Sequence, residues 1–144
     1  MMAVDRKLYC VAIHPVGRPM QDYRTPLEVL EAFRDIVKGH QSLYIDGQIL
    51  HRDVSKDNIM ITSNPEEGAP KGFLIDLDVS QRLDDNNPKK SGRHGTRPFM
   101  AMGVLLGKEH TYRHDLESLF YCFLWIAICG QGKAWPREGS KFWG

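Results

Sequence analysis

The chain has 144 residues, 42% hydrophobic and 26% charged, with a formal net charge of +1 at pH 7. This length suits one domain able to bury a real core. The near balance of charge provides no bulk attraction to nucleic acid or anionic lipid, so neither is expected as a partner.

Leu8 to Ile13 is a short apolar run with strand character, and it stops at the turn-forming stretch His14-Pro15-Val16-Gly17-Arg18-Pro19. Thr25-Pro26-Leu27-Glu28 then has the shape of a helix start: threonine caps, proline suits the first helical position, and glutamate three residues on completes a capping box. Leu27, Leu30, Phe33, Val37 and Tyr44 recur at helical spacing, and Val29, Ala32, Ile36 and Leu43 widen the stripe. A mostly buried helix is predicted over about residues 26 to 44.

Asp46-Gly47 is a turn signal. Gln48 to His51, Ile59 to Thr62, Phe73 to Leu77 and Val79 to Leu83 are short strand candidates. Ser63 to Gly72 and Asp84 to Gly95 are polar and rich in turn formers, so both are expected to be mobile surface loops. A second long helix is predicted over about residues 114 to 129. Its unbroken apolar run of eleven residues, Leu119 to Cys129, is too short for a membrane span of about 20 residues. It fits a helix buried on every side. No signal peptide is visible, so an intracellular protein, cytoplasmic or nuclear, is expected. Cys10, Cys122 and Cys129 form no CxxC pair and read as reduced core thiols; Cys122 and Cys129, seven apart, are predicted on one helix face. The tail from Gly130 to Gly144 holds Trp135, Phe142 and Trp143 without a completed element, so a packing partner is expected.

Residues 51 to 58 read H-R-D-V-S-K-D-N, and I-D-L-D follows at 75 to 78. An aspartate, an asparagine five residues later and a second aspartate after an apolar run suit phosphoryl transfer. One carboxylate (Asp53) would meet the attacking hydroxyl. A carbonyl (Asn58) and another carboxylate (Asp76) would hold Mg²⁺, a hard cation that takes few protein carboxylates and fills its shell with water and phosphate. Asp78, two residues on, is the rival ligand. The six histidines show no HExxH spacing, so no zinc is assigned.

In order, PVGRPM (15–20), ILHRDVSKDNIMI (49–61), FLIDLDVS (73–80), GTRPFMA (95–101) and YRHDLESLFYCFLWI (112–126) resemble the fungal-type protein kinases, with a secondary similarity to casein-kinase-type enzymes. The resemblance implies an α+β fold, mainly helical, of the protein-kinase C-terminal lobe, with short β-hairpins around the catalytic loop and the small N-terminal lobe absent. Residues 1–144 would be a single partial kinase domain, from hinge to buried central helix, its tail 130–144 incomplete.

The same resemblance implies a role for each matching residue. Asp53 would accept the substrate hydroxyl proton; the family's lysine position is Ser55 here, and the adjacent Lys56 is the catalytic candidate in its place. Asn58 and Asp76 would be the metal ligands. Ala12, His14, Val16 and Met60 would bind ATP, along the hinge (Ala12 to Gly17) and under the adenine. His51 would pack beneath the site, and Arg52 would tie the catalytic loop to the activation segment. Gly95 and Thr96 would end that segment, and Asp115 would anchor the catalytic-loop backbone.

The chain departs from the family pattern in several places. D-F-G is Asp76-Leu77-Asp78, which loses glycine's freedom at φ > 0 and adds a carboxylate. Ser55 replaces the usual lysine, and A-P-E is missing. Neither G-x-G-x-x-G nor V-A-I-K occurs. The expected function is therefore a Ser/Thr-directed protein kinase using ATP and Mg²⁺ on a protein substrate, with this chain inactive or very weak alone and completed by an N-terminal lobe or a partner protein. The alternative is a pseudokinase or non-catalytic interaction fragment. A small-molecule phosphotransferase of aminoglycoside-kinase type is a third reading, opposed by the G-T segment and R-H-D-L-E-S. The basic cluster Lys89, Lys90, Arg93, His94 and Arg97 reads as a solvated loop or as a site for an acidic substrate.

Overall fold

The structure, a computed structural model, describes residues 14–84 and 93–129. Among these, β1 (Gly17–Pro19), α1 (Pro26–Ile45), β2 (Ile49–Leu50), β3 (Ile59–Thr62), β4 (Gly72–Leu74), β5 (Gln81–Arg82), α2 (Met102–Leu105) and α3 (Tyr112–Cys129) succeed one another. The strands form two small antiparallel sheets, ordered β1-β3-β4 and β2-β5. The result is a mixture of helix and short antiparallel sheet, as the α+β expectation requires at that level.

Local chemistry starts and stops α1 where the sequence signals it. Thr25 Oγ1 accepts the Glu28 N–H at 3.1 Å, and Pro26 occupies the first turn, where its missing donor costs nothing. The Glu28 carboxylate reaches back to the Arg24 N–H at 2.6 Å and also pairs with Arg18. At the other end Gly47 N–H returns to Ser42 O at 3.1 Å. A Cβ on Gly47 would come within 2.8 Å of Leu43 O, so the turn needs glycine there.

The face that α1 buries is not the one expected from its leading stripe. Val29, Ala32, Phe33, Ile36 and His40 point inward, while Leu27 is 63% exposed and Leu30 and Val37 are also exposed. Both stripes have helical spacing; the neighbours supplied by β3, β4 and α3 decide between them. Of these, Val29, Ala32, Phe33 and Ile36 join Met20, Val54, Ile59, Ile61, Phe99, Leu119, Cys122 and Ile126 in one core cluster. Phe33 meets Phe123 edge to face at 5.3 Å between centroids.

The long apolar run of α3 likewise has an inside and an outside. Ser118, Leu119, Cys122 and Ile126 are buried, while Phe120, Trp125 and Ile128 are exposed, Ile128 by 77%. This corrects the expectation of a helix buried all round: without polar punctuation, composition could not mark which face packs. It also separates the two thiols, since Cys122 is buried and Cys129 exposed. Seven residues bring two side chains to nearly the same angle, but Cys129 stands two turns further along, past the last core contact.

The strands are shorter than predicted at three places and appear unannounced at one. β3 matches its prediction at both ends. β2, β4 and β5 each keep only the residues that have a partner. β1 forms within the predicted turn, pairing Pro19 with Met60 and Gly17 with Thr62. It is an edge strand, where proline's missing donor is tolerated. The predicted strand 8–13, Cys10 and the tail aromatics lie outside the described residues, as do residues 85–92 of the second polar loop.

The segment 63–71 is tied down at its end. Lys71 donates its N–H to Asp35 at 2.9 Å and its ammonium to Glu31 at 2.7 Å. Asp35 is buried, and the Arg34 guanidinium holds its carboxyl below the usual range against the opposing effect of burial. Gly72 then crosses α1 so closely that a Cβ there would sit 2.7 Å from Ala32 O and 2.9 Å from Ala32 Cβ. Among the described residues, no helix is long and apolar enough to cross a membrane.

Gly72→Ala should lower stability by about 1–3 kcal/mol, read as an earlier thermal melt by circular dichroism; an unchanged melt would mean that α1 and β4 are not in this contact. Burial pushes the Cys122 thiol up to about 12, with the Asp57 and Asp53 carboxylates adding to the effect. Alkylation of the folded chain with iodoacetamide at about pH 8 should label Cys129 well before Cys122, as thiolate availability controls the rate. Peptide mass spectrometry checks this, and equal labelling would contradict the burial.

Candidate active site

The segment 51–58 leaves β2 and enters β3, with its backbone pinned from below by Asp115 near the start of α3. The two Asp115 oxygens share four donors. Oδ2 accepts the His51 N–H at 3.0 Å and meets His40 Nε2 at 3.1 Å. Oδ1 accepts the Arg52 N–H at 3.0 Å and meets His110 Nε2 at 2.7 Å. Burial opposes ionisation of this carboxyl, but the hydrogen bonds from His110 and His40 outweigh it and hold its pKa far below the usual range.

Those bonds stabilise an unfavourable backbone. Arg52 has φ +71°, a left-handed conformation that costs a side-chain-bearing residue about 1–2 kcal/mol. Hydrogen bonds to a charged acceptor return about 1.5–3 kcal/mol each, so the anchor is sufficient. Asp53 follows directly and finds its partner in a different segment, at Thr96.

Asp53 is held through one oxygen. Its Oδ1 accepts both the Thr96 N–H and the Thr96 hydroxyl, each at 2.8 Å. Gly95 makes this approach possible with φ +123°, and a Cβ there would lie 3.1 Å from Arg52 O. Among the described residues, the other oxygen, Oδ2, has only the long 3.4 Å approach of Asn58 Nδ2. Asn58 commits that same amide nitrogen to Asp53 O at 2.9 Å, which leaves its carbonyl oxygen without a donor among the described residues.

Asp76 comes alongside through the backbone. Strand pairing sets Ile59 opposite Leu74, and the Ile75 N–H donates to Asn58 O at 3.0 Å. His51 ties the other side: its Nδ1 accepts the Asp53 N–H at 3.3 Å, and its Nε2–H donates to Ile75 O at 3.1 Å. Burial lowers the pKa of this ring, consistent with a neutral imidazole in that one tautomer. Asp76 has φ +67°, and its Oδ1 accepts the Asp78 N–H at 3.1 Å. The left-handed residue of D-L-D is thus Asp76, while Asp78, at the glycine position, is not among the left-handed residues. Aspartate tolerates this region better than most residues, so the lost glycine imposes no strain at position 78. Asp78 is exposed beside it.

The remaining predicted residues fall in three groups. Lys56 Nζ pairs with its chain neighbour, 2.6 Å from Asp57 Oδ1. Ser55 beside it is fully buried. Met60 lies on β3 opposite Phe73. His14 and Val16 line a cavity of about 380 Å³ with Thr62, Asn64 and Phe73, of which Met60 is not a wall. Ala12 lies outside the described residues, as do Lys89 and Lys90; Arg93 and Arg97 are exposed.

His40 and His110 were not singled out from the sequence. His40 stands four residues after Ile36 on the buried face of α1, which is a signal for burial but not for a partner. His110 lies in the irregular segment before α3 and carries no local signal at all. Among the described residues, no group of three or more His, Cys, Asp or Glu side chains is placed to hold a metal ion. The Asn58 carbonyl and the Asp76 carboxylate are hard oxygen donors, of the chemical type that fits Mg²⁺.

Comparison with known proteins finds protein kinases among the relatives of this chain. The chain is 36% identical to the serine/threonine-protein kinase CAK1 of Saccharomyces cerevisiae over 48% of its length and 20% of the relative's. It is 28% identical to casein kinase I homolog 2 of the same yeast, over 65% of the chain and 19% of the relative. With the serine/threonine-protein kinase/endoribonuclease ire-1 of Caenorhabditis elegans it shares 26% identity across 96% of the chain and 16% of that protein. The chain thus spans about a fifth or less of the length of these relatives.

Asp115→Asn should cost about 3 kcal/mol near neutral pH, because an amide turns a donor toward backbone donors in a buried site. In the wild type, the stabilisation from this depressed pKa is complete above the unfolded-state value near 3.8. It is lost as pH falls through the lower folded-state value. The variant should therefore lack the steepest acid-side loss, which urea unfolding at several acidic pH values would reveal. Identical pH slopes for both proteins would show that the carboxylate is not ionised in the fold.

A model of the fungal protein kinase family matches residues 3–127, and the chain belongs to that family.

Proposed function

We propose that this chain carries the catalytic-loop half of a protein kinase that transfers the γ-phosphate of ATP to a serine or threonine hydroxyl of a protein. The observation that carries this reading is the division of labour at Asp53, with Oδ1 fully bonded to Thr96 and Oδ2 open beside Asn58. A general base needs one oxygen free to meet the hydroxyl proton and a carboxylate plane that does not turn. Thr96 supplies the second condition, and the hydroxyl-bearing residue after Gly95 would also form the floor on which the substrate residue lies.

On this reading, Asn58 and Asp76 would hold Mg²⁺, which when bound offsets charge on the phosphate oxygens. The Asn58 carbonyl oxygen, left without a donor among the described residues while its amide nitrogen is bound to Asp53 O, supports its part in this. Met60 and Val16 would contact the adenine, with His14 and Ala12 on the hinge. Lys56 would reach the phosphates after leaving Asp57. That exchange is cheap, since a partly exposed pair of this kind is worth about 0–1 kcal/mol. Arg52 and His51 would set the loop's shape, and Asp115 would anchor it. Residues 14–129 would be the part of the large lobe from hinge to central helix, in one partial domain, with the activity inside the cell, where ATP is abundant.

The chain contains neither the Gly-rich loop nor the V-A-I-K lysine that grips phosphates. Purified as these 144 residues, it should transfer no measurable phosphate from radiolabelled Mg·ATP to a protein substrate. A version extended at both ends should turn over, and Asp53→Asn should lower its kcat by about 10²–10⁴-fold. Turnover by the short chain that survives Asp53→Asn would overturn the assignment of Asp53. Calorimetry showing no Mg·ATP binding by the extended version would replace the kinase reading with a non-catalytic interaction module.

A further inference from the structure

We propose that His40 and His110 are positioning residues of the catalytic loop: their imidazoles orient the Asp115 carboxylate so that each oxygen meets one backbone N–H of residues 51 and 52. The rings come from unrelated places, one from the second half of α1 and one from the segment before α3, and converge on a single carboxylate. His40 Nε2 is 3.1 Å from Oδ2 and His110 Nε2 is 2.7 Å from Oδ1. His40 is 3% exposed and His110 side-chain exposure is 9%, so water does not compete for either contact.

The stoichiometry of donors explains the need. An ionised carboxylate offers about four lone-pair sites. The two backbone N–H groups fill one on each oxygen. Asp115 is fully buried, and a buried charge with half its sites unmet is strongly disfavoured. The imidazoles fill the other two sites. They also fix the carboxylate plane, since the terminal torsion of aspartate is otherwise broad. Because the carboxylate can only accept, each ring must present an Nε2–H. His110 is in turn braced by His114, whose ring stands edge-on at 5.6 Å.

The consequence for phosphate transfer rests on the kinase reading of Asp53; the clamp itself does not. The test uses the 144-residue chain labelled with ¹⁵N, with histidine side-chain spectra and amide exchange as readouts. Both rings should carry the proton on Nε2. His40→Leu and His110→Leu should speed exchange at the His51 and Arg52 amides at least about tenfold, leaving Ile59 and Ile61 on β3 unchanged. His40→Gln and His110→Gln, which keep a donor at the same reach, should restore protection. An Nδ1–H tautomer in either ring overturns the proposal, as do unchanged His51 and Arg52 amides or an acceleration shared equally by β3. If a leucine variant does not fold, the wild-type tautomers and the glutamine variants still decide. No readout requires nucleotide, so a failed phosphotransfer assay would leave this result standing, and the reverse.

Discussion

The Asp115 carboxylate is the interaction on which the site's geometry depends. It lies near the start of the most apolar helix of the chain and accepts four hydrogen bonds from three other parts of the fold. A charge at that depth would be prohibitive without such saturation, because burial alone works against ionisation. With it, the carboxylate holds Arg52 in a left-handed conformation next to Asp53. The loop's shape therefore depends on core electrostatics, and the helix that buries Leu119, Cys122 and Ile126 is also the helix that anchors residues 51 and 52.

Around that anchor the polar groups are linked in series. His51 joins the Asp53 N–H to Ile75 O through one neutral ring. Ile75 returns a hydrogen bond to Asn58, and Asn58 returns one to Asp53. This closed circuit brings residues 53, 58 and 76 onto neighbouring backbone without any contact between their charged ends. Among the described residues, Asp53 Oδ2 takes only a long hydrogen bond and the Asn58 carbonyl oxygen takes none. The backbone groups in the circuit are paired, and such linked hydrogen bonds stiffen the loop.

The packing beneath is economical in the same manner. Gly72 lets β4 lie directly on Ala32 of α1, and Asp35 fastens the β3–β4 turn to the same helix. The sheet pairing that results sets the register of Ile75, and with it Asp76. The family's usual glycine is replaced by Asp78 without backbone strain, because the left-handed residue is Asp76, which fastens its own turn. Lys56, by contrast, is held only by a neighbouring exposed aspartate, so its position is the softest of the proposed set.

The sequence by itself determined the periodic and capped elements. α1 begins at Pro26 because Thr25, Pro26 and Glu28 act within one turn, and β3 keeps its alternation because Ile59 and Ile61 are unambiguous. The five ordered motifs identified the family and nominated Asp53, Asn58, Asp76, Thr96 and Asp115, since those residues are close in sequence to recognisable patterns. Tertiary structure alone decided which stripe of α1 and which face of α3 are inside, because both candidates have helical spacing and only a neighbour distinguishes them. It alone formed β1 within a predicted turn, since an edge strand exists only through its partner. It alone brought His40 and His110 to Asp115, across separations of 75 and 5 residues. A hydrogen bond is a matter of ångströms in space, and local pattern carries no record of which distant donor will fill a buried acceptor.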